Sequence, residues 1–215
     1  MEGAVTGFPG VPALTRHRPA SSGESVTTAS SGTGALSAVI VIDMINMYDH
    51  EDAERLLPSA RRVVPVVADL LAAARAQGAP VVYANDNFGQ WRSHHGEIVD
   101  AALAGPHADL VAPIVPDDEA LFVVKARHSI FYETPLSYLL WELGVRHVVL
   151  CGQVTEQCVL YSALDAHIRH LDVTVVSDAV ASIHPELADA ALEMMRTNMG
   201  ARVVRAQDVR FTGRE

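Results

Sequence analysis

Residues 148–162 read VVLCGQVTEQCVLYS, and this stretch decides how the rest of the chain is understood. The apolar run Val148, Val149 and Leu150 has the continuous character of a parallel strand covered on both faces. Gly152 and Gln153 are expected to end that strand. Thr155 is expected to cap a helix that carries Leu160, Leu164 and Ile168 as one apolar row. Cys158 then falls in the first turn of that helix, where unpaired N–H groups and the positive end of the helix dipole favour a thiolate. The carboxyl end of a strand facing a helix start is where open α/β sheets hold their ligands. A lone cysteine is more often a small core residue, so the role of Cys158 depends on what other strands bring to the same edge.

Further apolar runs lie on either side. Residues 38–42 (AVIVI) end in Asp43, residues 80–84 lead into Asn85-Asp86-Asn87-Phe88-Gly89-Gln90-Trp91, and residues 120–124 end in Lys125. Residues 173–176 and 201–204 supply two more strands. Helical periodicity predicts helices over 59–77, with Val63, Val67, Leu70, Leu71 and Ala74 inward and a kink at Pro65, and over 98–104 and 185–198. A further helix starts at Thr134-Pro135 and runs to Leu143. Strand–helix alternation of this length predicts an α/β protein with a parallel sheet covered on both faces. Residues 1–34 are rich in Ser, Gly, Thr, Ala and Pro without apolar period, which predicts a disordered extension ahead of one domain over 35–215.

Apolar residues make up 49% of the 215 and charged residues 20%, proportions of an ordinary globular protein. No apolar run is long enough to span a bilayer, and a net charge of −10 argues against nucleic acid. There is no Gly-rich dinucleotide or phosphate-binding motif. Two cysteines, Cys151 and Cys158, flank one turn. That is no disulfide framework, and it suggests a reducing, cytoplasmic setting. Cys151 continues the strand and reads as an inert core thiol. Lys125 is the only lysine among 16 Lys and Arg residues. Arginine cannot give up its proton and cannot act as a compact point charge, so a single retained lysine at a strand end is a candidate functional group.

If the strands are parallel, Asp43, Lys125 and Cys158 end on one edge of one sheet. An ammonium and a helix start would depress the thiol pKa, and a carboxylate would take its proton and later return it to a leaving amine. The N–H groups around Thr155 and Cys158 would hold an oxyanion. Phe88, Trp91, Phe131 and Tyr161 are candidates for an apolar pocket, with Asn87, His128 and Tyr132 as polar contacts to substrate.

The order Asp…Lys…Cys, with VIDM on the first strand, a lysine ending the third and GQVTEQCV after the fourth, resembles the isochorismatase-like cysteine hydrolases over about residues 38–204. The resemblance implies a three-layer α/β/α sandwich with a six-stranded parallel sheet, assembled as a homodimer or homotetramer. It implies Asp43 as general base and acid, Lys125 as the group that stabilises the thiolate, and Cys158 as a nucleophile that forms a thioester. It also implies a cis peptide, for which Val154–Thr155 is the candidate. Nicotinamidases of this superfamily hold a metal with an Asp and several His. Asp86 stands at the place of that acid, but Phe88 stands where a His is expected, and His94 and His95 are adjacent. No metal and no other cofactor is therefore expected. True isochorismatases lack the cysteine, so Cys158 points to C–N bond hydrolysis.

The function expected is hydrolysis of a small amide or lactam, with no nucleic-acid or membrane partner. The loops at 85–91 and 128–136, with Tyr48-Asp49-His50-Glu51-Asp52, resemble the streptothricin hydrolase branch. The acids Asp49, Glu51 and Asp52 would rim the pocket for a cationic substrate. A hydrolase of another small substrate, of isochorismatase or nicotinamidase type, and a catalytically dead binding protein of the same fold are the alternatives.

Overall fold

A computed structural model describes residues 35–89 and 94–213; the segment 1–34 and Trp91 lie outside the described residues. The apolar runs become six strands: β1 (Leu36–Ile42), β2 (Val81–Asp86), β3 (Leu121–Lys125), β4 (Val145–Gln153), β5 (Asp172–Ala181) and β6 (Arg202–Val204). They lie in the order β3-β2-β1-β4-β5-β6, and every neighbouring pair is parallel. The helices are α1 (Ala53–Ala76), α2 (His95–Ala104), α3 (Ala108–Val111), α4 (Leu136–Glu142), α5 (Leu160–Ile168) and α6 (Pro185–Met199).

Alternation along β1 builds two cores. Val39 and Val41 face a cluster with α1, α2 and α3, whereas Ala38, Ile40 and Ile42 face a cluster with α4, α5 and α6. The chain is thus a three-layer α/β protein, as its apolar strands require. Among the described residues no helix is long and apolar enough to cross a membrane.

Three local expectations are corrected. Helix α1 begins at Ala53 rather than 59 and continues through Pro58 and Pro65. Burial of Leu56, Val63, Val67, Leu70 and Leu71 against the sheet, each worth about 1.5–3 kcal/mol, outweighs the helix bonds that proline removes. Strand β4 does not stop at Leu150. After a register shift it pairs Gly152 with Val180 and Gln153 with Ala181, because β5 also runs on. Gly152 has φ +119°, and a Cβ there would lie 2.1 Å from the Ile42 carbonyl oxygen. Only glycine lets β4 pass this close to the end of β1.

The third correction concerns the helix after β4. Residues Thr155–Val159 form a π turn, and α5 starts only at Leu160. The wider turn shifts the helical phase. Small residues Ser162, Ala163 and Ala166 then face inward, while Leu164 and Ile168 are 42% and 59% exposed. Thr155 is no cap, since its hydroxyl donates to the Ala181 carbonyl at 2.9 Å. The cis peptide joins Gln153 to Val154, one bond earlier than expected.

Sheet order reverses between β1 and β4. This switch point opens a crevice at the carboxyl ends of the strands, and both Asp43 and Cys158 follow the two strands that flank it.

Candidate active site

Asp43 directly follows β1 and adopts φ +54°, a left-handed conformation that the surroundings must hold in place. Its N–H donates to the Ala84 carbonyl at 3.1 Å, and its carbonyl accepts from Gln153 Nε2 at 2.7 Å. Its Oδ1 accepts the Asp86 N–H at 2.8 Å. The loop beyond it is pinned by Asn85, whose Oδ1 accepts the Ile45 N–H and whose Nδ2 donates to the Ile45 carbonyl, both at 3.0 Å. Tyr48, itself at φ +56°, donates its hydroxyl to Gln153 Oε1 at 3.3 Å.

Lys125 ends β3, beside Asp86 of β2. It lies two strands from β1, a span of roughly 10 Å, so only a long side chain can cross to Asp43. The side chain is 1% exposed. Its Nζ lies 2.7 Å from Asp43 Oδ2, 3.2 Å from the Arg127 carbonyl and 3.7 Å from Cys158 Sγ. Three partners match the three protons of an ammonium. Asp86 Oδ2 is a further 4.0 Å away. The sequence-predicted trio Asp43, Lys125 and Cys158 is therefore brought together in one contact chain, with Lys125 at its centre.

Burial raises the Asp43 carboxyl above its ordinary range, a push that Lys125 opposes. Burial also works against the Lys125 charge, but Asp43, Cys158 and Asp86 outweigh it and hold the ammonium above its usual pKa. The expected low thiol pKa is overturned. Burial, reinforced by the Asp43 carboxylate, pushes Cys158 up and outweighs Lys125. Burial therefore works against a charged Cys158, beside a carboxyl that burial also pushes up. Cys151 is fully buried, pushed up to about 12 by burial alone, and its thiol donates to the Ile40 carbonyl at 3.6 Å. It is a core residue.

The crevice beside Lys125 is a cavity of about 670 Å³ lined by Asp86, Asn87, Phe88, Arg127, Tyr132 and Glu133, among others. The size suits a small molecule. Phe88 and Tyr132 are exposed there, whereas Asn87 is buried and its Oδ1 accepts the Gly89 N–H at 3.0 Å, which shapes the turn. His128 Nδ1 lies 3.8 Å from Cys158 Sγ, and its ring packs on Tyr161 with centroids 5.5 Å apart. Phe131 is a core residue, with the Arg169 guanidinium 4.7 Å over its ring. Among the described residues Asp49, Glu51 and Asp52 do not line this cavity. They precede α1, and Asp52 pairs with Arg55 at 3.6 Å. The acids at the cavity are instead Asp86 and Glu133.

Among the described residues the side chains considered for a metal have other partners. Asp86 Oδ1 accepts the Phe88 N–H at 2.7 Å. His94 Nδ1 accepts the Gly96 N–H at 3.1 Å, and the His95 ring lies on Phe122. Among the described residues no three His, Cys, Asp or Glu side chains converge.

Sequence reasoning missed Gln153, Asn85 and Tyr48. Their signal was present: two amides end apolar strands, where a side chain is buried and must find partners. Glu156 was missed as well. Its Oε1 accepts the Ile183 and His184 N–H groups at 2.9 and 2.8 Å, tying the nucleophile turn to the start of α6.

Six parallel strands with helices on both faces match the fold of solved isochorismatase-like hydrolases. The chain belongs to the isochorismatase family: residues 37–208 match the isochorismatase domain. It is 33% identical to the uncharacterized isochorismatase family protein YaaI of Bacillus subtilis, across 80% of this chain and 95% of that one. It is 32% identical to streptothricin hydrolase of Streptomyces noursei, across 78% of this chain and 63% of that enzyme. The crystal structure of N-carbamoylsarcosine amidase from Thermoplasma acidophilum superposes with a TM-score of 0.64 at 29% identity, covering 81% of this chain and 98% of the other. The protein is accordingly a hydrolase of this family.

Proposed function

We infer that this hydrolase is a cysteine-dependent amidohydrolase acting on an amide or lactam through a thioester. The observation that carries the reading is the contact chain itself: one buried ammonium, 2.7 Å from a carboxylate oxygen and 3.7 Å from a thiol sulfur. In this reading Asp43 takes the thiol proton as Cys158 Sγ attacks the carbonyl carbon. Lys125 offsets the charge of the sulfur during transfer, and the N–H groups of Thr155 and Cys158 receive the oxyanion. Collapse breaks the C–N bond, and Asp43 returns its proton to the leaving amine. Water then cleaves the thioester.

Similarity to streptothricin hydrolase and to an amidase supports a C–N substrate. Asp86 and Glu133 line the cavity beside Lys125 and Arg127, so its formal charges balance and set no preference for a cationic substrate. The test is a hydrolysis screen with streptothricin, N-carbamoylsarcosine and nicotinamide, with Cys158→Ala as control. Turnover of at least one compound by the native protein and of none by the variant supports the reading. Equal turnover by both refutes it.

A further inference from the structure

Cys158 Sγ has two nitrogen neighbours of opposite character. Lys125 Nζ, at 3.7 Å, is buried and already donates to Asp43 and to the Arg127 carbonyl. His128 Nδ1, at 3.8 Å, belongs to an exposed ring that packs on Tyr161. Asp43 lies on the sheet side, with one carboxylate oxygen accepting the Asp86 N–H and the other facing Lys125. It is 8% exposed. The water that must resolve a thioester arrives from solvent, and the titratable nitrogen already within reach of the sulfur there is His128.

We propose that His128 is a catalytic residue of the second half-reaction, the general base that activates water against the Cys158 thioester. The proposal rests on Cys158 being the nucleophile. Neutral His128 takes one proton from the attacking water as its oxygen bonds to the acyl carbon. The tetrahedral intermediate then collapses, the C–S bond breaks, and Sγ takes that proton from the imidazolium. The free acid leaves, and thiol and neutral imidazole are restored. The sequence thus divides labour between two bases. Asp43 serves the buried thiol and the leaving amine, and His128 serves the water.

His128 meets Cys158 on the π turn and Tyr161 on α5.

p-Nitrophenyl acetate separates the two halves without knowledge of the natural substrate. Stopped-flow release of p-nitrophenolate gives acylation as a burst and deacylation as the steady rate, and mass spectrometry locates the acetyl group. His128→Asn and His128→Phe, the second keeping a ring on Tyr161, change an exposed side chain, and circular dichroism checks their folding. The expected result is a preserved burst, acetyl-Cys158 that accumulates, and a steady rate lowered roughly 10²-fold or more. A steady rate within about threefold of native, or a burst lost together with the steady rate, overturns the proposal. Absence of acetyl-Cys158 in the native protein overturns the nucleophile reading, and the proposal falls with it.

Discussion

Replacing Lys125 by Met should leave the shape of its slot nearly unchanged and remove its charge. The side chain is 1% exposed, and its partner Asp43 is 8% exposed with Oδ2 at 2.7 Å. Breaking a buried pair from one side leaves the other charge uncompensated, at a cost of roughly 3–5 kcal/mol. For a chain of this size each kcal/mol corresponds to about 2–4 °C, so the melting temperature should drop by roughly 6–20 °C. The loss has a pH signature. Burial already raises the Asp43 pKa, and without Lys125 the largest opposition to that push is gone. Protons then bind the folded state more tightly than the unfolded one, so stability is present in acid and is lost as pH climbs through the raised pKa of the folded state. Urea unfolding at pH 5, 7 and 9 should show the smallest difference from native at pH 5. Adding Asp43→Asn to Lys125→Met should restore most of the loss at pH 7, because the orphaned charge is gone. A single variant as stable as native at pH 7, or a loss that neither pH nor Asp43→Asn relieves, would refute the reasoning.

Cys151→Ala should keep most activity, measured on any compound the native enzyme turns over, because Cys151 contacts only core groups such as the Ile40 carbonyl. Gly152→Ala should destabilise the fold and cut activity steeply, since its Cβ would sit 2.1 Å from the Ile42 oxygen, the residue before Asp43; thermal melting and turnover read the two effects. Gln153→Leu should lower kcat more than it raises KM, because it removes the bond that fixes the Asp43 carbonyl at 2.7 Å without touching the cavity. Activity should survive dialysis against EDTA, and recovery of lost activity by added zinc or iron would show a metal role.

The strands and the trio were legible because each rests on a local pattern. Apolar runs such as 38–42 and 148–150 are long and uninterrupted, and a charged or reactive residue at the end of each stands out. The layered α/β architecture follows from their alternation with helices. What failed depended on tertiary partners. Gly152 looks like a strand breaker until β5 extends beside it. Leu164 and Ile168 look inward until a π turn, invisible to helical period, turns Ala163 and Ala166 to the core instead. The Cys158 thiol looked acidified because burial, its largest influence, cannot be read from neighbours in sequence. Gln153 and Asn85 were passed over because an amide's importance lies in what it reaches, here the Asp43 and Ile45 backbone.

The central claim is that Cys158 becomes acylated by substrate. Rapid acid quench during turnover, followed by peptide mapping by mass spectrometry, measures this directly. The account predicts a substrate-derived acyl group on the peptide that carries Cys158, none on Cys151, and no adduct or turnover in Cys158→Ser. Turnover that persists in Cys158→Ser, or an acyl group found on another residue, would contradict it.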